Sequence, residues 1–204
     1  MVSKGKLITL EGIDGTGKSS IARMLRSGFP EAVFTQEPTH GWIGKAVKAS
    51  IESDADPLAE LFLFVADHAD HIARVIRPAL LEGKTVFSDR YSDSRYAYQG
   101  ATLSNIFEDA VGFVRGIHKG WSIVPDLTIL FIIDPEIAVS RCGIRGERTK
   151  FEKIEFLKTV QGNFQELAER EPERFVIIDA GQELKAVRHN VEVAVQEFLS
   201  SIAD

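Results

Sequence analysis

Leu7-Ile8-Thr9-Leu10-Glu11 runs directly into Gly12-Ile13-Asp14-Gly15-Thr16-Gly17-Lys18-Ser19, and a stretch with helical periodicity follows at Lys18–Ser27. The octet obeys G-x-x-x-x-G-K-[ST], and a β-like run before it with a helix after it is the setting in which that pattern carries meaning. Its glycines let the backbone curl so that N–H groups, together with the helix N-terminus, face a polyphosphate. Lys18 can then neutralise the β and γ phosphates, and the Ser19 hydroxyl can serve Mg²⁺ as an oxygen ligand. The alternative, a glycine-rich turn that binds nothing, explains neither the full pattern nor its context. Gly12, Ile13, Asp14, Gly15, Thr16, Gly17, Lys18 and Ser19 are therefore expected to hold a nucleoside triphosphate.

Outward from the loop, β-like apolar runs recur at Lys6–Glu11, Ala32–Thr35, Thr85–Asp89, Leu127–Ile133 and Phe175–Ile178. Helical stretches separate them at Trp42–Ser50, Asn105–Gly116, Pro135–Arg141 and Glu152–Glu169, with another at Glu183–Ser201. The longest places Leu58, Leu61, Phe62, Val65, Ala69, Ile72, Ala73 and Ile76 on one apolar face and is expected to end or kink near Pro78. Alternation of this kind specifies an α/β fold, here a three-layer P-loop NTPase fold with a five-stranded parallel sheet flanked by helices. In such a sheet ligands gather at the carboxyl ends of the strands, so residues just after each run carry the functional information.

Composition narrows the class further. The 204 residues, 44% hydrophobic and 26% charged, suit one compact domain over 1–204. No signal peptide is read at the start, and no apolar run reaches the roughly 20 residues that span a bilayer, so a cytoplasmic protein without a membrane partner is expected. The single cysteine, Cys142, excludes an internal disulfide framework and a cysteine-based zinc site. A net charge of −6 argues against broad nucleic-acid binding, which leaves local basic clusters as the places to hold phosphate.

The loop alone does not separate kinases from switches or motors. An N-K-x-D segment for reading guanine is absent from the sequence. After the third run stands Asp89-Arg90-Tyr91, followed by Ser94, Tyr98, Gln99 and Gly100. An acid at a strand end beside the loop can hold the Mg²⁺ hydration shell, and an adjacent arginine can bridge two phosphates. A surface Asp–Arg pair is the competing reading of those two residues.

Taken together, Glu11–Ser19, Glu37-Pro38-Thr39, Leu61–Asp67, Pro78–Lys84, Asp89–Gly100 (D-R-Y-x-x-S-x-x-A-Y-Q-G), Pro125–Thr128 and an arginine-rich segment before Phe151-Glu152 make the chain similar to the thymidylate kinases. Those enzymes move a phosphoryl group from ATP to dTMP. Glu-Pro-Thr, in place of a longer bacterial motif, resembles the archaeal branch.

The resemblance implies roles. Asp14 would meet the acceptor, Phe64 would stack on the thymine ring, and Tyr98 would block a ribose 2′-hydroxyl. Ser94 and Gln99 would line the acceptor pocket, Arg90 would grip the acceptor phosphate, and Ser19 and Asp89 would serve Mg²⁺. Arg141, Arg145, Arg148, Lys150 and Lys153 suit a lid at about 142–150 that closes over ATP. Because the loop carries no arginine, the resemblance assigns the transition-state charge to Arg145 or Arg148, beside Lys18 and Arg90. A homodimer through long helices is also implied.

Three positions depart from the family pattern. Gln36 stands where bacterial members carry arginine. His68 replaces the arginine that reads the thymine edge and would offer one shorter hydrogen bond there. Arg95 follows Ser94 where a smaller residue is usual, and the sequence leaves open whether it points into the base pocket or to solvent. A kinase for another nucleoside monophosphate, or a nucleotide-binding regulatory protein without transfer, thus stand as alternatives to a dTMP kinase.

Overall fold

The computed structural model describes residues 5–143 and 147–201, with 147–152 described by their backbone alone. Five strands, β1 (Leu7–Gly12), β2 (Val33–Gln36), β3 (Val86–Asp89), β4 (Leu127–Ile132) and β5 (Phe175–Asp179), form one parallel sheet in the order β2-β3-β1-β4-β5. Each lies within one residue of an expected run. All of β1 is buried, as a strand covered on both faces must be. The chain leaves β1 for one side of the sheet and later returns to the other, so the loop after β1 sits where the strand order reverses.

The helices are α1 (Lys18–Gly28), α2 (Trp42–Glu52), α3 (Pro57–His71), α4 (Arg77–Leu81), α5 (Ser92–Thr102), α6 (Ala110–His118), α7 (Pro135–Arg141), α8 (Glu147–Arg170) and α9 (Leu184–Ser201). Among the described residues no helix is long and apolar enough to cross a membrane. Asp56 caps α3, accepting from the Leu58 and Ala59 amides, with Pro57 at the first position, where its missing N–H costs nothing.

The helical path does not stop at Pro78. Ile72–Ile76 is a π-helical turn in which the Arg77 N–H reaches the Ile72 carbonyl, five residues back, and α4 then continues through the proline. The wider turn supplies the slack that a proline demands of the preceding turn. Nor is the buried face of α3 purely apolar. Phe62 is 54% exposed while Asp67, His68 and His71 are buried.

Helix α5 was not expected, and the predicted helix at Asn105–Gly116 begins instead at Ala110, after an Asp109 cap that accepts from the Gly112 amide. The buried residues of α5 include Ser92, Asp93, Ser94, Arg95 and Gln99, so no hydrophobic period marks it. Ala97 and Ala101 join the main core, and polar contacts seat the start of the helix. Arg174, just before β5, donates to both carboxylate oxygens of Asp93 at 2.7 and 2.9 Å and to the Thr128 hydroxyl at 2.7 Å. The Thr128 and Thr9 hydroxyls are 3.0 Å apart, which extends the network to β1.

Candidate active site

The glycine-rich loop ends at Gly17, which caps α1 in a left-handed conformation (φ +89°) without a side-chain cap. The Ser20 and Ile21 amides turn back to the Gly17 carbonyl, and those of Lys18 and Ser19 are left for an outside acceptor. At Gly15 (φ +85°) a Cβ would lie 2.4 Å from the Ala138 carbonyl oxygen, so only glycine fits the approach to α7. Ile13 and Thr16 turn their side chains inward and contribute backbone. Lys18, 5% exposed, donates to the Ile13 carbonyl at 2.7 Å and to the Thr16 hydroxyl at 3.0 Å. Burial first, and then the nearby Arg90, bring its ammonium down to about 7 against the pull of Asp89 and Asp14. A cation held so near neutrality suits an incoming polyanion, whose charge restores the proton.

Beside the loop lies a cavity of about 600 Å³ lined by Gly15, Gly17, Lys18, Ser19, Asp89 and Arg141, among others. At its floor the Ser19 hydroxyl donates to Asp89 Oδ2 at 2.5 Å. One hydroxyl and one carboxylate, converging beside the loop, fit a hard cation that takes its remaining ligands from water and phosphate. Arg141 donates to the Ala180 carbonyl at 3.1 Å and so joins α7 to the loop after β5. The sequence grouped it with the lid; the structure puts it on the triphosphate cavity.

A second cavity, of about 370 Å³, is lined by Phe64, Ser94, Arg95, Tyr98, Gln99 and Lys153 with further residues. The two share Asp14, Glu37, Pro38 and Arg90, and therefore meet there. Arg90 stands at the junction with φ +67°, uncommon for a residue with a side chain and a recurrent feature of functional sites. Its amide is pinned to the Leu10 carbonyl at 3.0 Å. Its guanidinium donates to the Gly12 carbonyl and the Ser94 hydroxyl, both at 3.0 Å, to Asp14 Oδ1 at 2.6 Å and to the Tyr98 hydroxyl at 3.3 Å. The Tyr98 hydroxyl also accepts from the Asp14 amide at 3.0 Å. Burial works against the Asp14 carboxylate, but Arg90, Lys18 and Lys153 outweigh it and keep the group ionised. Behind them, fully buried Glu11 accepts from the Tyr91 amide at 2.8 Å and the Ser94 hydroxyl at 2.5 Å, and burial followed by Asp93 pushes it up to about 7.

Two anion-ready cavities meeting at one arginine are what transfer between two phosphates requires, and the sequence comparisons agree: residues 10–191 match the family profile described as thymidylate kinase. The chain belongs to the thymidylate kinase family. A probable thymidylate kinase of Methanococcoides burtonii is 60% identical to it, across 97% of this chain and 100% of its own length. One from Methanosarcina mazei is 57% identical across 98% and 100%, and one from Halobacterium salinarum 50% identical across 95% and 96%.

Against the family pattern, Asp14, Arg90, Ser94, Tyr98, Gln99 and Phe64 line the smaller cavity, and Lys18, Ser19 and Asp89 the larger. His68 does not reach either. Its ring is fully buried, with Nε2 2.8 Å from the Ser122 hydroxyl and Nδ1 2.9 Å from Glu37 Oε1 and 2.8 Å from Arg95 Nη2, so no ring nitrogen is left for a substrate. Burial and then Arg95 pull His68 down to about 4, which keeps it neutral. The expectation that it reads the base edge is corrected on that ground. Arg95 turns inward and is 2% exposed. Arg145 lies outside the described residues, and of Arg148 only the backbone is described, in the first turns of α8.

The sequence reading quoted Glu37-Pro38-Thr39 as a motif but gave Glu37 no role. Glu37 is 4% exposed, receives His68 and, at 2.7 Å, His71 on one oxygen, and pairs with Arg95 through the other. Arg95 and His68 hold it well below the usual carboxylate range although burial opposes this. Thr39 is tied to α3 by Asp67, which accepts from its amide at 2.7 Å and its hydroxyl at 2.6 Å. Glu37 directly follows β2, and an acid near a strand end was the available signal.

Proposed function

We propose that the chain transfers the γ-phosphoryl group of ATP to dTMP, yielding ADP and dTDP. The observation that carries this reading is the meeting of the two cavities at Asp14 and Arg90. The larger takes the triphosphate, with Lys18 on the β and γ phosphates. The smaller takes the nucleoside monophosphate, with its base against Phe64, its sugar beside Tyr98 and its phosphate on Arg90. Ser19 and Asp89 would hold Mg²⁺, which neutralises charge on the phosphate oxygens when bound. The acceptor phosphate is already an anion, so no side chain need act as a strong base; the protein's part is to align two polyanions, supply positive charge and exclude water. Arg145 or Arg148 completes that charge from a lid at about 142–150, because the loop between Gly12 and Ser19 contains no arginine. The reading also takes 1–204 as one kinase domain, acting in the cytoplasm on small molecules. Pairing with a second copy through the outer face of α3 is supported by the exposure of Phe62.

ADP release measured with dTMP, dUMP, dCMP, UMP, CMP, AMP and GMP tests the function. The expected result is turnover fastest with dTMP. A clear preference for another monophosphate would replace the acceptor, and ATP binding without turnover on any of them would replace the enzyme with a nucleotide-binding regulator.

A further inference from the structure

With both His68 nitrogens committed to protein partners, the family's base-reading position on α3 offers the substrate nothing. Arg95, one residue past Ser94 on α5, comes into the same place from the opposite wall. It lines the acceptor cavity and is held from behind on three sides. Its Nε donates to His118 Nε2 at 3.2 Å, Nη1 pairs with Glu37, and Nη2 lies 2.8 Å from His68 Nδ1. A guanidinium only donates, and it has five hydrogens in a rigid fork. His118, with its hydrogen on Nδ1 given to the Val114 carbonyl at 2.8 Å, accepts from Arg95 Nε, and Glu37 accepts from Nη1. Each terminal nitrogen, Nη1 and Nη2, therefore keeps at least one hydrogen free of a protein partner. Phe64 is one turn before His68 on the same face of α3, so the guanidinium beside His68 lies next to the ring on which a base would stack.

We propose that Arg95 is the specificity-determining residue of the acceptor cavity, donating to the 4-oxo group of the pyrimidine and rejecting a 4-amino group. The inference rests on the dTMP-kinase reading and deepens it. A 4-amino group donates as the guanidinium does, so a cytosine leaves buried donors facing each other without an acceptor, and sites built on hydrogen bonding reject such analogues strongly. Glu37 and His118 fix the fork in place, with His68 packed beside Nη2. The pocket therefore keeps a reader of the base edge, but carries it on α5 where His68 has vacated α3.

The test crosses protein and substrate. The ratio of kcat/KM for dTMP over dCMP, expected near 10²-fold or more in the native chain, should fall below about tenfold in Arg95→Gln, whose amide both donates and accepts. Arg95→Lys, which keeps the charge against Glu37, should retain most of the preference. A purely structural Arg95 would lower activity on both acceptors together and leave the ratio unchanged, which overturns the proposal. The native chain supplies an independent arm should either variant fail to fold: a deoxyuridine monophosphate analogue lacking the 4-oxo group should lose at least tenfold in kcat/KM against dUMP. Equal values there also overturn the assignment. Absence of turnover on every 4-oxo pyrimidine in the native chain would instead sink the parent function, so the two failures are told apart.

Discussion

The triphosphate cradle and the acceptor cavity are made by different means. One consecutive segment, Gly12–Ser19, supplies the largest share of the first, and its backbone is set by glycine conformations and the start of α1. The second is assembled from Glu37 after β2, Phe64 on α3, Arg90 after β3 and one face of α5, and its charged groups Asp14, Glu37, Arg90 and Arg95 are paired across elements. A cradle of backbone tolerates drift in the rest of the chain. A pocket of paired side chains does not, because changing one partner unpairs another.

The largest expected effect tests the cradle. Lys18→Ala should lower kcat by about 10³-fold or more with every acceptor, since it removes a charge placed on the transferring group. Dependence of the loss on which monophosphate is offered would break the division between the two halves. Steady-state ADP release, beside a thermal unfolding curve showing an intact fold, is the measurement.

Phe64→Ala makes the complementary test. Stacking of a base on an aromatic ring is worth about 1–3 kcal/mol, so KM for dTMP should rise by roughly 10- to 100-fold while KM for ATP stays put. An equal rise in KM for ATP would mean that the two cavities are not energetically separate. The partial exposure of Phe64 within the cavity, set against the full burial of neighbouring Leu61, supports a ring that waits for a partner.

The same contrast explains what was legible in the chain. The strands, the sheet and the loop were readable because they follow local rules: apolar runs for β strands buried on both faces, and glycines where the backbone turns left-handed. Arg90, Ser94, Tyr98 and Gln99 were legible through a dense motif that resembles a family. Helix α5, which carries three of them, was not, because polar residues make up much of its buried face, held by Arg174 and Glu11, and its buried apolar residues, Ala97 and Ala101, are small. His68 was misplaced for a related reason. A motif aligns positions, but the direction of an imidazole depends on Glu37, Ser122 and Arg95, which arrive from three other segments. Glu37 sits in the Glu37-Pro38-Thr39 motif, but its partners His68, His71 and Arg95 come from distant segments that the motif does not specify.

The smallest effect sharpens the cradle's electrostatics through pH. In the nucleotide-free chain burial brings Lys18 to about 7; a bound triphosphate favours the charged form and raises that value. Below pH 7 the ammonium already carries its proton and binding gains nothing from further acid at this group. Above pH 7 the free chain loses the proton and binding must take it up again, so the affinity for ATP should fall by about fivefold between pH 7 and pH 8. Calorimetry in two buffers of different ionisation enthalpy should then register uptake of close to one proton per ATP at pH 8.5. Lys18→Arg, charged throughout the range, should flatten the dependence. Zero proton uptake in the native chain at pH 8.5 would mean that Lys18 is charged before ATP arrives. The cradle would then owe its affinity to its backbone donors and an ammonium already in place, with no contribution from a proton drawn in by the ligand.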